Sequence, residues 1–290
     1  MSYWSGPTNM VMWPVCFQCL VLDVSRSGFY SWLRRVVSPR RERRKFLHQQ
    51  ILSVFLKHRK RAGRRQIHRN LTGDGVSVGL NTVGRIMREH AIRPWYCKPF
   101  RRPCLDKDRQ NVKPNDLDRA FQPGMPNRAW LSDITEFRTF EGKLYLSVVE
   151  DLGTRRVLGW AMSNRMRAEL VEESLQMAIK LRGKPVKVLF HSDQGSQFRS
   201  ELIRHSLRDY GADQSMSRRA NCWDNAPMES FFATLKREMY WNRSWTRQRL
   251  RTEIFEFIEV YYNRQRLHST LGYQTPVGFE KKANLKDPLS

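Results

Sequence analysis

The stretch Trp130-Leu-Ser-Asp-Ile-Thr-Glu-Phe137 places the carboxylate of Asp133 inside a run of alternating side chains. A period of two predicts a strand from Trp130 to Phe140, and it puts four side chains on one face: Leu131, Asp133, Thr135 and Phe137. An acid on an otherwise apolar face costs free energy unless a cation or hydrogen bonds stabilise its charge. This strand therefore predicts the start of a sheet and also a functional carboxylate.

The residues after this strand predict an α/β arrangement. Further strand-like runs extend from Lys143 to Asp151 and from Arg156 to Ser163, and Glu141-Gly142 is the expected turn between the first two strands. The remaining predicted elements are helix Ala168–Arg182, buried strand Val186–Ser192, helix Ser200–Tyr210, strand Asp213–Met216, and helices Ala226–Tyr240 and Trp245–Tyr262. Three antiparallel strands followed by alternating helices and strands predict a mixed sheet flanked by helices.

Two more acids are expected close to Asp133. Asp193 follows a buried strand, at the edge of an α/β sheet where ligand sites gather. Glu229 lies near the start of an amphipathic helix, and it faces both aspartates if that helix packs on the sheet. Three carboxylates can hold two Mg²⁺ ions about 3.5–4 Å apart, which is an arrangement suited to phosphodiester chemistry. The alternative is three structural acids engaged in caps and salt bridges.

The charge of the chain is strongly positive and uneven. The net charge over 290 residues is +24, and residues 1–128 carry 26 Lys and Arg against 8 Asp and Glu. This excess predicts a nucleic-acid partner, because basic side chains gain affinity by releasing counterions from phosphates. A basic protein of a membrane surface is the weaker alternative. The apolar run Val11–Leu22 is too short to span a bilayer and lacks the features of a signal peptide.

Longer motifs surround the acids. Asp193 lies in His-Ser-Asp-x-Gly-Ser-Gln-Phe, Glu229 lies in Trp-Asp-Asn-Ala-x-x-Glu-Ser-Phe-Phe, and Tyr262 to Pro276 reads Tyr-Asn-x-x-Arg-x-His-x-x-Leu-Gly-Tyr-x-Thr-Pro. Fifty-nine residues separate Asp133 from Asp193, and 35 separate Asp193 from Glu229. With these motifs the chain resembles bacterial insertion-sequence transposases, in particular the second-frame product whose core is similar to retroviral integrase. The resemblance extends from about residue 23 to about residue 279.

This resemblance implies an RNase H-like fold and a DNA transposase. Such an enzyme cleaves DNA at the ends of a mobile element and transfers the freed 3′-hydroxyl into target DNA. Asp133, Asp193 and Glu229 would be both catalytic residues and ligands of Mg²⁺ or Mn²⁺, with two ions in each site. Lys236 lies two helical turns beyond Glu229 on nearly the same face. It is expected to contact the DNA end, and the alternative is a solvated surface lysine.

The resemblance also implies macromolecular partners beyond DNA. Many relatives act as a fusion with an upstream-frame product that supplies a coiled coil and a further end-binding module. This chain shows no sustained heptads. We therefore expect a homo-oligomer assembled on DNA and a fusion or partnership with an upstream-frame product.

Residues 1–93 predict a basic, all-α region similar to a helix-turn-helix. The expected helices are Val11–Leu22 packed into this region, a pair within Val24–Leu33 separated by a Ser-Gly turn, 40–60, Arg64–Leu71, and one capped by Asn81 that ends at His90. Four arginines are the candidate DNA contacts: Arg64, Arg65, Arg85 and Arg88. The alternative is a helical bundle with solvated arginines. Ala62-Gly63 stands where relatives usually have an aromatic residue before the glycine.

The segment between the two halves differs from both in composition. Residues 94–126 contain six prolines, which predicts an extended basic linker, and residues 127–290 then form the catalytic core with its helical tail. Five cysteines with irregular spacing predict free thiols in a reducing, cytoplasmic compartment. The pair Cys16 and Cys19 has no second pair at zinc-site spacing.

Several acidic and histidine residues have a structural interpretation beside the functional one. Asp224 is the rival third acid, although an N-cap role suits it better. His191 either supports Asp193 or is an ordinary strand-end histidine. Glu136 and Asp151 are expected to be solvated strand ends. Two other functions stay open: a non-catalytic DNA-binding regulator or decayed remnant, and a simple RNase H-like nuclease. The complete acid triad, the basic front half and the tail motif favour the transposase.

Overall fold

The computed structural model describes residues 14–34, 38–94, 124–183, 187–216, 226–239 and 245–286. Its helices are α1 (Val15–Val21), α2 (Arg26–Leu33), α3 (Pro39–Lys57), α4 (Arg64–Gly73), α5 (Leu80–Glu89), α6 (Ala168–Arg182), α7 (Glu201–Tyr210), α8 (Ala226–Glu238), α9 (Arg247–Phe255), a π-helical segment (Glu256–Tyr262), a 3₁₀ turn (Ser269–Leu271) and α10 (Pro276–Lys286). The strands are β1 (Ala129–Thr139), β2 (Gly142–Asp151), β3 (Val157–Ser163), β4 (Leu189–Ser192) and β5 (Asp213–Met216). The chain divides into two compact units, residues 1–51 and residues 52–290.

One five-stranded mixed sheet organises the larger unit. The strand order is β3-β2-β1-β4-β5. The pairs β1–β2 and β2–β3 are antiparallel, whereas β1–β4 and β4–β5 are parallel. The predicted α/β class with a mixed sheet is confirmed. The first strand, α6 and β5 lie within a residue of their predicted bounds, whereas β4 begins only at Leu189 and the β1–β2 turn lies at Phe140-Glu141.

The two faces of the sheet carry separate apolar cores, as the alternation along β1 requires. Leu131 and Phe137 pack with side chains of α8, α9 and the π-helical segment. Trp130 lies on the other face and packs with side chains of α6 and α7. Gly159 in β3 is needed for this packing, because a Cβ atom there would lie 2.0 Å from the carbonyl oxygen of Ser174 in α6. Asp133 belongs to the face that α8 covers.

The C-terminal tail is bound to the edge strand β3 through a side chain whose amide group forms the hydrogen bonds that a neighbouring strand would form. The Val157 amide donates to Oδ1 of Asn263 at 3.0 Å, and Nδ2 of Asn263 donates to the Val157 carbonyl at 3.0 Å. Asn263 follows the π-helical segment directly. Its amide group thereby satisfies backbone groups of β3 that would otherwise lack a partner at the sheet edge.

The segment between α3 and α4 also packs against this tail. The guanidinium of Arg61 is buried and lies 5.5 Å from the ring centre of Phe257 and 5.1 Å from that of Tyr261. Arg59 is paired with Glu256. A buried arginine over two aromatic faces is a favourable cation–π arrangement. The segment between α3 and α4 is therefore packed against the π-helical segment within one compact unit.

Two predictions about the front helices are wrong, and a third is confirmed only in part. Ser27-Gly28 is part of α2 rather than a turn, because Ser25 caps the helix by accepting a hydrogen bond from the Gly28 amide. The helix α5 begins after Gly79, so Asn81 lies inside it. The described part of Val11–Leu22 forms α1, whose buried residue is Cys19, while Leu20 and Leu22 are exposed. Local capping by Ser25 outweighed the turn preference of Ser-Gly.

Asp151 is not the solvated strand end that its position in the sequence suggested. It is completely buried at the end of β2. Its carboxylate accepts hydrogen bonds from the amides of Asn127 and Gly153, and it lies 3.3 Å from Nη2 of Arg182. These partners give Asp151 a structural role in joining β2 to α6.

No helix among the described residues has the length and apolar character needed to cross a membrane.

His268 in the tail makes the stability of the fold depend on pH. Its Nδ1 lies 2.8 Å from Oγ1 of Thr270. Burial, together with the nearby positive charges of Arg266 and Arg155, lowers the pKa of His268 to about 4. Between that value and the ordinary histidine value of about 6.5, the unfolded chain binds a proton that the folded chain does not. Acidification through this range therefore favours unfolding.

We predict that His268→Gln makes the slope of the free energy of unfolding against pH less positive between about pH 4 and about pH 6.5, because the variant loses the contribution of the histidine. Glutamine can keep a hydrogen bond to Thr270 without titrating. Urea unfolding at a series of pH values measures the effect. His205→Gln, which alters an exposed histidine on α7, is the control. An identical slope in wild-type protein and His268→Gln would contradict the prediction.

Candidate active site

Asp133 is the most buried of the three predicted catalytic acids. It is partly buried on β1, and its Oδ1 accepts a hydrogen bond from the Ile134 amide at 2.7 Å. Burial is the main cause that raises the pKa of this carboxyl to about 7; the Ile134 amide opposes the rise, the negative charges of Asp193 and Glu229 add to it, and Lys236 lowers it. Asp193, Glu229 and Lys236 are thus near enough to Asp133 to influence its charge.

Asp193 reaches this environment because β4 runs parallel to β1. Ser132 pairs with Ser192 across the two strands, so that Asp133 and Asp193 follow directly after paired residues. Asp193 is exposed, and its Oδ1 accepts a hydrogen bond from the Gly195 amide at 2.9 Å. A Cβ atom on Gly195 would lie 2.9 Å from this same oxygen. The glycine lets the backbone turn tightly under the carboxylate.

Glu229 is presented by the first turn of α8. It is exposed, whereas the helix buries Met228, Phe231, Phe232, Leu235 and Met239 as predicted. This burial holds α8 against the face of the sheet that contains Asp133. A glutamate in the first turn of a helix is also favourably placed toward the positive end of the helix dipole. The helix therefore presents one acid to the sheet edge.

Lys236 is partly buried beside the acids rather than fully solvated. Its Nζ lies 5.4 Å from the centre of the Phe137 ring. Burial lowers the pKa of Lys236, while the carboxylates of Glu136 and Asp133 raise it. Lys236 is thus only partly exposed, and its contact with the DNA end stays a prediction. The side chain places one positive charge next to the acid cluster.

The donor chemistry of the site fits a divalent cation. Carboxylate oxygens are the preferred ligands of Mg²⁺, and each aspartate has one oxygen beyond the atom that accepts a backbone hydrogen bond. Within the described residues, no group of three or more His, Cys, Asp or Glu side chains is drawn together closely enough to hold a metal ion.

The residues that were considered as neighbours of the site have different surroundings. His191 is buried on β4, and its Nδ1 lies 3.0 Å from Oγ of Ser215 in β5, on the side away from β1. Glu136 is exposed and paired with Lys143 at 2.9 Å, as expected for a strand residue in solvent. Asp224 lies outside the described residues.

The predicted DNA-contacting arginines are all on exposed helix surfaces. Arg64 and Arg65 begin α4, and Arg85 and Arg88 lie on α5. The two helices pack closely, since a Cβ atom on Gly84 would lie 3.5 Å from Cδ of Arg64. The α5 core consists of Val83, Ile86 and Met87, which leaves the arginine side of the helix accessible.

The sequence alone did not indicate which residue Arg266 of the tail motif contacts. The structure pairs Arg266 with Glu238 of α8 through hydrogen bonds of 3.0 and 3.1 Å. Glu238 is a buried acid near the end of an amphipathic helix. A buried acid of this kind requires a cation partner, so its position among the apolar residues of α8 was the available signal.

Models of known domain families match both halves of the chain. A model described as integrase core domain matches residues 123–222, and a second model with the same description matches residues 210–276. A model described as HTH-like domain matches residues 41–100. These matches confirm the predicted integrase-type core and the helix-turn-helix-like region.

Related sequences cover nearly the whole chain. Transposase InsF for insertion sequence IS3A of Escherichia coli K12 is 37% identical over 272 residues, which cover 91% of this chain and 93% of that protein. An uncharacterised 31 kDa protein of insertion element IS600 from Shigella sonnei is 37% identical and covers 91% of this chain and 97% of its own length. The transposase of IS904 from Lactococcus lactis is 37% identical and covers 86% and 99%.

Among solved structures, the HTLV-2 integrase catalytic core domain in complex with magnesium is similar with 18% identity and a TM-score of 0.43, covering 54% of this chain and 97% of that one. The stronger evidence is the sequence relationship over at least 86% of the chain and the matching integrase core models. The chain therefore belongs to the IS3-type family of insertion-sequence transposases, which have an integrase core domain and act in DNA transposition.

Proposed function

We propose that this transposase cleaves the ends of its mobile element and joins the freed 3′-hydroxyl to target DNA at Asp133, Asp193 and Glu229. The observation that carries the proposal is the parallel pairing of β1 with β4, in which Asp133 and Asp193 directly follow the paired residues Ser132 and Ser192, together with the packing of α8 on the same face of the sheet. The three acids come from β1, from the end of β4 and from α8. The origin of the three acids in separate elements of one unit supports a shared site.

The same three residues would hold Mg²⁺ or Mn²⁺, with two ions in each site. When bound, such ions supply activation of the attacking hydroxyl and stabilisation of the leaving oxygen. Asp133 must give up its proton to act as a ligand, and the negative charges of Asp193 and Glu229 near it would favour cation binding. Lys236 would contact a phosphate of the DNA end, since a lysine ammonium is a mobile point charge suited to that contact.

The triad is tested by replacements that remove charge while keeping shape. We predict that Asp133→Asn, Asp193→Asn and Glu229→Gln each abolish Mg²⁺-dependent cleavage and joining of labelled element ends, with duplex binding retained. Asp224→Asn is expected to keep measurable activity because asparagine also caps helices. Glu201→Gln, in the first turn of α7, controls for the loss of an exposed acid. Robust joining by any of the three triad variants would remove that residue from the site.

Lys236 is tested separately from the acids. A hydrogen bond that involves a charged group is worth about 1.5–3 kcal/mol. We predict that Lys236→Ala weakens binding of processed element ends by about 10- to 100-fold and slows joining at limiting DNA. Arg237 lies 3.6 Å from Glu238 and belongs to another part of the helix surface, so that Arg237→Ala should affect joining less. Equal, near-wild-type rates for both variants would contradict the role of Lys236.

We further propose that residues 1–93 bind duplex DNA through Arg64, Arg65, Arg85 and Arg88, that residues 94–126 form the linker, and that residues 127–290 form the catalytic core. The support is the HTH-like match over residues 41–100 and the exposure of these arginines. A helix that presents two arginines from one turn to the next is suited to a DNA groove.

The arginines are tested in the full chain with Asp133→Asn present to prevent cleavage. We predict that Arg85→Ala and Arg88→Ala reduce the preference for element ends over unrelated duplex, whereas Arg41→Ala on α3 lowers affinity for both equally. Each lost phosphate contact should reduce the slope of log affinity against log salt by about one. Filter binding over a range of salt concentrations measures both quantities. Unchanged preference in Arg85→Ala and Arg88→Ala would contradict the assignment.

We propose that the active form is a homo-oligomer assembled on DNA, with an upstream-frame product as a fusion or partner.

A strand-joining assay also distinguishes the transposase from the two rival functions, because a nuclease would cut without joining and a regulator or remnant would only bind. The complete set of three acids and the basic front half support the joining activity.

A further inference from the structure

The helix α8 has two functional sides that face in opposite directions. Glu229 and Lys236 are seven residues apart and therefore lie on nearly the same side. Glu238 is nine residues from Glu229, which places it about 180° around the helix. Phe231 lies within about 20° of Glu238 by the same geometry. One side of α8 thus carries the site residues, and the other side carries Phe231 and Glu238.

The C-terminal tail holds both residues of this second side. The Tyr262 ring meets the Phe231 ring edge-on, with centres 4.8 Å apart. The Arg266 guanidinium donates from Nε to Oε2 of Glu238 at 3.1 Å and from Nη2 to Oε1 at 3.0 Å. We call Tyr262 and Arg266 the α8 anchor. Its two contacts are separated by two helical turns, so they restrain both the tilt of α8 and its rotation.

The α8 anchor is itself attached to the sheet. Tyr262 donates a hydrogen bond of 3.5 Å to Glu150 of β2. Asn263, the next residue, is bonded to both backbone groups of Val157 in β3. Tyr261 and Tyr262 are both buried at the end of the π-helical segment. A continuous set of contacts therefore leads from the sheet through the tail to α8.

The pair of Arg266 and Glu238 is stronger than an ordinary surface ion pair. Glu238 is 3% exposed, and the two parallel hydrogen bonds fix the guanidinium plane against the carboxylate. Burial alone would lower the pKa of Arg266, but the Glu238 carboxylate beside it raises that pKa above its usual range. Removal of one partner from a buried pair is costly, because the other charge is left buried without compensation.

We propose that Arg266 and Glu238 are positioning residues of the transposase, and that they orient Glu229 toward the aspartates by fixing the rotation of α8. Neither residue contacts the reacting atoms. Rotation of α8 would move Glu229 and Lys236 together, and a displacement of about 1 Å at a catalytic group can cost about 100-fold in rate. The inference rests on the proposed role of Glu229, but the anchoring of α8 can be measured independently of it.

The first measurement is amide hydrogen exchange in the full chain, expressed as the exchange rate of α8 relative to that of β1. In Glu238→Gln and Arg266→Gln we expect this ratio to rise at least about tenfold, since α8 loosens while the sheet does not. Glu280→Gln is the matched control, because Glu280 is also 3% exposed and pairs with two arginines, Arg156 and Arg182, but lies on α10. A ratio that is unchanged in Arg266→Gln, or raised equally in Glu280→Gln, would overturn the anchor.

The second measurement is the rate of strand joining as a function of DNA concentration. We expect Glu238→Gln and Arg266→Gln to lower kcat by about 10- to 100-fold with little change in KM, and the double variant to be no slower than the slower single variant. Arg266→Lys keeps the buried charge without the paired geometry, so it should fold and give an intermediate kcat. Glu280→Gln should lower thermal stability but not the kcat of folded protein.

Glu229→Gln in the same assay distinguishes a failure of the positioning proposal from a failure of the proposed function. Wild-type joining by Glu238→Gln and Arg266→Gln, when Glu229→Gln is inactive, would overturn positioning and leave the proposed function intact. Wild-type joining by Glu229→Gln would overturn the role of Glu229 and with it the catalytic part of this inference. The proposal is supported if Glu238→Gln and Arg266→Gln both join slowly and both increase the α8 exchange ratio, while Glu280→Gln has neither effect.

Discussion

The desolvation of Asp133 is the constraint on which the rest of the catalytic half depends. A carboxylate on the apolar face of a central strand raises the free energy of the fold unless a positive charge approaches it. The sheet places a second acid beside it through the parallel pairing of β1 with β4, and α8 adds a third. This arrangement is unfavourable by itself. Binding of the divalent cations proposed above would make it favourable.

The surrounding structure keeps Asp133 in this unfavourable environment by apolar packing rather than by neutralising its charge locally. The face of the sheet around Asp133 is covered by the apolar side of α8 and by the π-helical segment. Lys236 contributes one positive charge to the cluster, and its burial makes that charge costly. The tail motif, which has no evident chemistry of its own, then has a clear physical task, because Tyr262 and Arg266 hold the helix that carries both Glu229 and Lys236.

The sequence predicted the sheet well because strand alternation and helix periodicity are local signals. Asp133, Asp193 and Glu229 could be selected from their motifs, and the alternation along β1 correctly assigned Asp133 to one face. Contacts between distant segments had no such signal. The burial of Asp151 against Arg182, 31 residues away, and the pairing of Arg266 with Glu238 depend on how α6 and the tail return to the sheet. The π-helical segment was also missed, since its apolar pattern resembles that of an ordinary α-helix.

The most direct test of the central claim is the affinity of the full chain for Mn²⁺ in the absence of DNA. Electron paramagnetic resonance of the free ion measures this affinity. If Asp133, Asp193 and Glu229 form one cation site, each of Asp133→Asn, Asp193→Asn and Glu229→Gln will bind Mn²⁺ more weakly than wild-type protein, whereas Glu201→Gln will bind it equally well. Wild-type affinity in any one of the three variants would show that this residue is not a ligand and would contradict the account of a single three-carboxylate site.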